Sequence, residues 1–214
     1  MSLVSKISRQ KIDALIEPHA TNERVLDIGA YGMPSYAKYF SNRVGIDMKA
    51  GPGVDIVGSV YELPFNDNEF DTVLCLSVLE HLEDPAKALL EIRRVLKLEG
   101  KIIISVPFMF PIHDAPGDYW RFTKFGLRKL FSKGWSIQQL QAETTTEETF
   151  AVLFQRLGYQ TKMRANNVSK VSTFLIAKFF EKIHIVKKVF GDIKKTTQEP
   201  EAFASAFFLV ATKL

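Results

Sequence analysis

The 214-residue sequence predicts an α/β fold, a mainly parallel seven-stranded sheet with helices on both faces. Three observations carry this. Apolar runs of strand length alternate with helical patterns along the chain. The run DTVLCLSV (71–78) is apolar almost throughout, as a strand covered on both faces must be. The stretch DPAKALLEIRRVLKLEG (84–100) has the cap, the stripe and the closing glycine of a helix between two such strands.

In order, Ile7, Ile12, Leu15 and Ile16 mark an amphipathic helix over 5–17, stopped near Pro18. RVLDIGA (24–30) reads as a first strand running into a glycine turn, and PSYAKYF (34–40) as a helix with Pro34 in its first turn. RVGIDM (43–48), VDIVGSV (54–60) and 71–78 follow as strands. In the helix 84–100, Asp84 caps, Pro85 takes the first position, Ala88, Leu89, Ile92, Val95 and Leu96 form the stripe, and Gly100 closes. KIIISVPF (101–108) is the fifth strand, 123–133 a helix, GWSIQQLQAE (134–143) the sixth strand and EETFAVLFQRLGY (147–159) a helix. AFASAFFLVATK (202–213) is a last strand, suited to an antiparallel place at the sheet edge. The expected organisation is one domain over 1–214, with a ligand-binding core at 22–135, a helical insertion at 144–200 and the last strand at 202–213.

Hydrophobic residues make up 46% and charged residues 24% of the chain, the balance of an ordinary soluble protein. A net charge of +4 does not point to nucleic acid. The single cysteine, Cys75, lies inside an apolar run, which excludes a disulfide framework, fits a reducing cytoplasm and argues against a thiolate metal site; no metal is expected. The N-terminal stretch lacks the apolar core and cleavage signal of a secretory leader. No run of roughly 20 apolar residues suggests a membrane span.

Parallel sheets bind ligands at the carboxyl ends of their strands, so the loops to watch are 29–33, 47–53, 59–69, 77–84 and 109–122. LDIGAYG (26–32) opens a turn that lets backbone approach a ligand closely. It is not the G-x-G-x-x-G of a dinucleotide site, which argues against a nicotinamide oxidoreductase. Asp47 ends the second strand at the distance from that turn where a carboxylate accepts ribose hydroxyls.

Leu63-Pro64-Phe65, then Phe70-Asp71, then Leu79-Glu80-His81, then RRVLKLEGKIIISV form an ordered set that resembles class I S-adenosylmethionine-dependent methyltransferases of the type 11 kind, over about residues 22–135. The resemblance implies a Rossmann-like methyltransferase fold and S-adenosylmethionine as cofactor. It implies that Asp27, Gly29, Ala30, Tyr31 and Gly32 hold the methionine end, with amides for its carboxylate and Tyr31 for the sulfonium. Asp47 and Met48 would meet the ribose and adenine, and Ser59 and Val60 the adenine edge. Leu76, Ser77 and His81 would line the cofactor site after the fourth strand. The chain departs from the family pattern in having Gly29-Ala30-Tyr31-Gly32 where three alternating glycines are usual, and Ser59 where an aspartate is common. Both departures leave open a cofactor-binding scaffold without catalysis.

The loop FPIHDAPGDYWRFT (110–123) resembles a subgroup of these enzymes found in surface-polysaccharide and lipopolysaccharide assembly, which implies a saccharide or lipid-linked glycan as acceptor. By chemistry alone, His113 suits a general base near neutrality. Asp118 would orient it or bind a sugar hydroxyl, and Arg121 would clamp a carboxylate or phosphate. Tyr119 and Trp120 would stack on a sugar. His81 is a second candidate base. The structural alternative is that Asp118 and Arg121 brace the loop while Trp120 and Phe122 belong to the core.

VSKVSTFLIAKFFEKIHIVKKVFG (168–191) combines an apolar helical stripe with interleaved lysines. It suits an anionic membrane surface, which would place the protein peripherally at the inner face of a membrane; packing on the domain or a contact in a homodimer are the alternatives. A third function class, a peripheral membrane or partner-binding protein working through this helix, stays open beside the enzyme and the scaffold.

Overall fold

Val25, Leu26, Asp27 and Ile28 pair in parallel with Thr72, Val73, Leu74 and Cys75, and that pairing is the centre of the molecule. It is seen in a computed structural model that describes residues 7–32, 34–160, 167–182 and 201–214. The strands are β1 (Thr21–Ile28), β2 (Phe40–Asp47), β3 (Ile56–Val57), β4 (Phe70–Leu76), β5 (Leu96–Pro107), β6 (Trp135–Ala142) and β7 (Ala206–Lys213). They form one sheet in the order β3-β2-β1-β4-β5-β7-β6, in which β7 is antiparallel to both neighbours and the other pairs are parallel. The helices are α1 (Ile7–Ile16), α2 (Pro85–Val95), α3 (Lys124–Leu130), α4 (Thr146–Gln160) and α5 (Asn167–Lys182).

The strands sort their side chains with period two. Leu26, Ile28, Val73, Cys75, Ile102, Ile104 and Leu209 face α2 and α3, whose Ala88, Leu89, Ile92, Val95 and Leu127 complete that core. Val25, Leu74, Leu76, Ile103, Phe208 and Val210 face the other way, onto Ile16, Tyr36 and Phe40. Each fully buried aliphatic or aromatic side chain here is worth about 1.5–3 kcal/mol. Both faces of β4 are thus covered, as its continuous apolar run requires.

The structure corrects four expected elements. Residues 35–39 form a 3-10 turn in place of an α-helix, and β3 has only two residues. Helix α2 stops at Val95 instead of Gly100, because Leu96 is already extended and pairs with Phe70. The ladder resumes at Lys101 opposite Thr72, and the intervening bulge puts Glu99 in the left-handed region at φ 60°. The last strand lies inside the sheet, between β5 and β6. Of the expected helix 168–191, α5 extends to Lys182, and residues 183–191 lie outside the described residues.

Helices α4 and α5 lie between β6 and β7 in the chain and pack on each other through Phe154 and Phe180, stacked at 5.5 Å. The opposite face of α5 leaves Val171, Leu175, Ile176 and Phe179 exposed. Among the described residues no helix is long and apolar enough to cross a membrane.

Candidate functional site

Strands β1, β2, β4 and β5 end on the same side of the sheet, and the loops that follow them meet there. Gly29 turns the chain out of β1 with φ +79°; a Cβ on it would stand 2.5 Å from Cγ2 of Val78, so the turns after β1 and β4 are in contact. Gly45 in β2 is held equally close: a Cβ there would be 2.0 Å from the carbonyl oxygen of Gly53.

Asp47 ends β2 half-buried. Its carboxylate accepts the N–H of Lys49 at 3.0 Å and that of Tyr31 at 3.3 Å, which ties the first turn to the second. These two bonds leave lone pairs for a ligand. Met48 and Tyr31 stand exposed beside it, apolar surfaces suited to covering a flat ring. Ser59 accepts the N–H of Tyr61 at 3.2 Å and keeps its own O–H proton, while Val60 is buried beneath it.

Two expectations fail on geometry. The amides of the 29–32 turn are already used, Gly29 and Ala30 donating to Ile46 O, Gly32 to Pro52 O and Tyr31 to Asp47, so they do not stand ready for a carboxylate. Asp27 is wholly buried and turned away from a ligand: its carboxylate accepts from Arg43 Nε at 2.7 Å and Tyr36 Oη at 3.3 Å. Burial pushes its carboxyl up to about 6 against the pull of Arg43. Asp27 therefore pins β1 to β2 from within.

After β4, Leu76 is buried, while Ser77 is exposed and held in the left-handed region at φ 56°. Such strain is kept where surrounding structure enforces it, often at working sites. The next turn presents Glu80 and His81. Glu80 has no exposed surface, and among the described residues neither carboxylate oxygen has a hydrogen-bond partner. Burial pushes its carboxyl up to about 8, with Asp118 and Glu143 adding to the rise.

The loop 108–123 folds over this turn. Tyr119 and Trp120 donate their backbone N–H groups to Glu80 O at 2.9 and 3.2 Å, and Trp120 Nε1 donates to Leu82 O at 2.7 Å. His113 is thereby brought beside His81, ring centroids 4.9 Å apart. Both Nε2 atoms stand 3.9 Å from Oε1 of Glu80. His81 is held from behind, its Nδ1 2.7 Å from Gly117 O, whereas His113 Nδ1 lies 3.3 Å from Asp118 Oδ2 and, among the described residues, makes no hydrogen bond. Burial lowers the His113 pKa, with Asp118 opposing and His81 assisting.

Arg121 forks onto Asp118 through Nη1 and Nη2, both at 2.7 Å. Its remaining N–H groups go to Phe110 O, Pro111 O and Trp120 O. All five guanidinium donors are engaged, so Arg121 braces the loop and has none left to clamp a substrate. The same contact holds the Asp118 carboxyl well below the usual range. Tyr119 and Trp120 keep exposed ring faces, and Trp120 stacks on Phe122 at 6.3 Å.

The pattern L-E-H supplied Glu80 in the sequence, but only tertiary structure gives it a place in the site. Glu143 was missed entirely; it follows β6, is buried, and accepts from Ser105 Oγ at 2.5 Å. A polar residue after an apolar strand gave no signal of that burial.

Comparison with known proteins bears on this site. Residues 26–104 match the family model described as a methyltransferase domain. The uncharacterized protein MJ1123 of Methanocaldococcus jannaschii is 39% identical over 109 residues, covering 47% of this chain and 52% of its own. An uncharacterized methyltransferase of Schizosaccharomyces pombe is 52% identical over 63 residues, 29% of this chain and 23% of its own. The chain spans about half or less of the length of these relatives. A 1,6-didemethyltoxoflavin-N1-methyltransferase of Burkholderia thailandensis, solved with that substrate and S-adenosylhomocysteine, superposes with TM-score 0.57 at 15% identity over 98% of this chain and 79% of its own. That likeness shows a Rossmann-like fold, shared with this methyltransferase, and the span 26–104 that matches the family model lies within it.

Proposed function

We propose that the protein transfers a methyl group from S-adenosylmethionine to an oxygen of a small acceptor of saccharide type. The observation that carries this is the convergence of Glu80, His81 and His113 close to the Gly29 turn, at the carboxyl ends of the strands, where parallel sheets bind ligands. When bound, the cofactor supplies a methyl group on a cationic sulfur. Asp47 accepts the ribose hydroxyls, Met48 and Val60 cover the adenine, and the Ser59 hydroxyl meets its edge. Leu76 and Ser77 line the approach from β4. His113, backed by Asp118, receives the acceptor proton, and its lowered pKa keeps the imidazole neutral and able to do so. The exposed faces of Tyr119 and Trp120 are the surface on which a sugar ring would rest.

Calorimetry of the full chain with S-adenosylmethionine and S-adenosylhomocysteine tests the first half. Transfer of labelled methyl to glycan and sugar-nucleotide fractions tests the second. Neither heat nor thermal protection at millimolar cofactor would end the proposal. Binding without transfer to any acceptor would favour a scaffold.

We also propose that the outer face of α5 rests on an anionic membrane surface. Val171, Leu175, Ile176 and Phe179 form its exposed apolar stripe, and lysines outnumber acids through residues 162–195. Sedimentation with vesicles containing phosphatidylserine at low salt should carry the protein down, and Phe179→Glu should release it. Failure to sediment removes the membrane role and leaves packing or dimer contact for this face.

A further inference from the structure

We propose that Glu80, His81 and His113 form a binding site for a divalent transition-metal cation. One ligand atom from each of the three lies within 4.8 Å of the others. The donor set, two imidazoles and a carboxylate, suits zinc, manganese or iron(II) better than magnesium or calcium, which prefer oxygen alone. From the sequence no metal is expected, its single cysteine arguing against thiolate ligation. The imidazole set appears when the 108–123 loop closes over the turn 79–81.

Two independent observations support ligation over chance proximity. The first is Glu80 itself: a carboxylate with no exposed surface and, among the described residues, no hydrogen-bond partner at either oxygen is a costly thing to bury. A cation beside Oε1 removes that cost. The second is the way the rings are placed. His81 Nδ1 is in hydrogen-bond contact with the Gly117 carbonyl at 2.7 Å, while Asp118 stands 3.3 Å from His113 Nδ1 as a neighbouring charge without hydrogen-bonding it; both Nε2 atoms stand 3.9 Å from Glu80 Oε1. A backbone carbonyl behind an imidazole, as at His81, is an outer arrangement that fixes tautomer and direction in metal-bound histidines.

The distances fit with small movement. An ion with bonds of about 2.1 Å separates tetrahedral ligands by about 3.4 Å. The two imidazole nitrogens stand 3.9 Å from Glu80 Oε1, so those pairs must close by roughly 0.5 Å, and the two imidazoles, within 4.8 Å of each other, by at most roughly 1.4 Å, movements that side-chain rotation supplies. Three protein ligands leave coordination positions open, and a hydroxyl oxygen of the acceptor is what they would take. This deepens the methyl-transfer reading and rests on it for the acceptor, though not for the cation. With a cation bound, His113 is a ligand, and the metal takes over the task of making the acceptor hydroxyl acidic.

The test uses the full chain stripped with chelator and titrated with Co2+, then Zn2+, without any cofactor. The expected result is one ion per chain, visible cobalt bands of nitrogen and oxygen ligation, and displacement of cobalt by zinc. Glu80→Gln and His113→Ala should each weaken binding by more than about 100-fold. A melting curve confirms that each variant is folded, and if Glu80→Gln is not, His113→Ala on the loop carries the test. Absence of binding at 1:1 stoichiometry, or binding unchanged in the folded variants, overturns the proposal. Because S-adenosylmethionine is titrated separately, a bound cation with no cofactor binding sinks the methyl-transfer reading alone, and the reverse result sinks the cation site alone.

Discussion

Asp118 holds His113 by the backbone: its Oδ2 accepts the His113 N–H at 2.9 Å and stands 3.3 Å from the ring Nδ1 without hydrogen-bonding it. The same carboxylate is gripped by both terminal nitrogens of Arg121. The position of His113 over Glu80 is therefore set by an ion pair that faces the loop interior.

Arg121→Lys tests that arrangement. A lysine cannot fork onto Asp118 and also reach the carbonyls of Phe110 and Pro111. Loss of these charge-assisted bonds is expected to cost about 1.5–3 kcal/mol, read as a lower melting temperature. Methyl transfer should fall with it, while S-adenosylmethionine binding stays within a few-fold. If Arg121 instead gripped substrate, KM would rise with no change in melting temperature.

Asp47→Ala tests the cofactor end. Among the described residues the Asp47 side chain accepts from the loop amides of Tyr31 and Lys49, so the fold should survive its loss. Removing a charged acceptor of ribose hydroxyls is expected to weaken S-adenosylmethionine about 10- to 100-fold, measured by calorimetry. Unchanged affinity would move the ribose elsewhere.

Gly45→Ala should destabilise the protein by about 1–3 kcal/mol. The added methyl would collide with the Gly53 carbonyl at 2.0 Å, which is backbone and cannot swing aside. Denaturant unfolding checks this, and a neutral result would mean that the 49–55 loop yields freely.

Glu143→Gln concerns pH. Burial pushes the Glu143 carboxyl up to about 7 from the ordinary 4.5, with the Ser105 hydroxyl opposing. The folded state thus favours the protonated acid. Its stabilising contribution is complete below pH 4.5 and is lost as pH rises through about 7. The span corresponds to on the order of 3 kcal/mol. The wild-type melting temperature should therefore drop more steeply from pH 5 to pH 8 than that of Glu143→Gln, with chelator present in both. Parallel slopes would show that Glu143 does not titrate in this window.

Much of the fold is legible in the chain because it is local. The apolar continuity of 71–78, the Asp84-Pro85 start of α2 and the glycine at the end of β1 each act through neighbouring residues. Legibility stops where a partner strand decides. Leu96 continues the stripe of α2 and could have stayed helical, but pairing with Phe70 draws it into β5. The last strand reads as an edge by its position in the chain, yet the antiparallel gap between β5 and β6 receives it.

The site divides in the same way. Residue order alone determined that Asp47 would close the second strand and that histidine, carboxylate and aromatic groups would crowd the loop after the fifth. Only the folded arrangement decided that Arg121 and Asp27 are spent on internal pairs, that the 29–32 amides are occupied, and that Glu80, His81 and His113 meet around one point. The physical reason is that local conformation depends on a residue's near neighbours, whereas a polar group's availability depends on every other group that reaches it, and those groups come from distant parts of the chain.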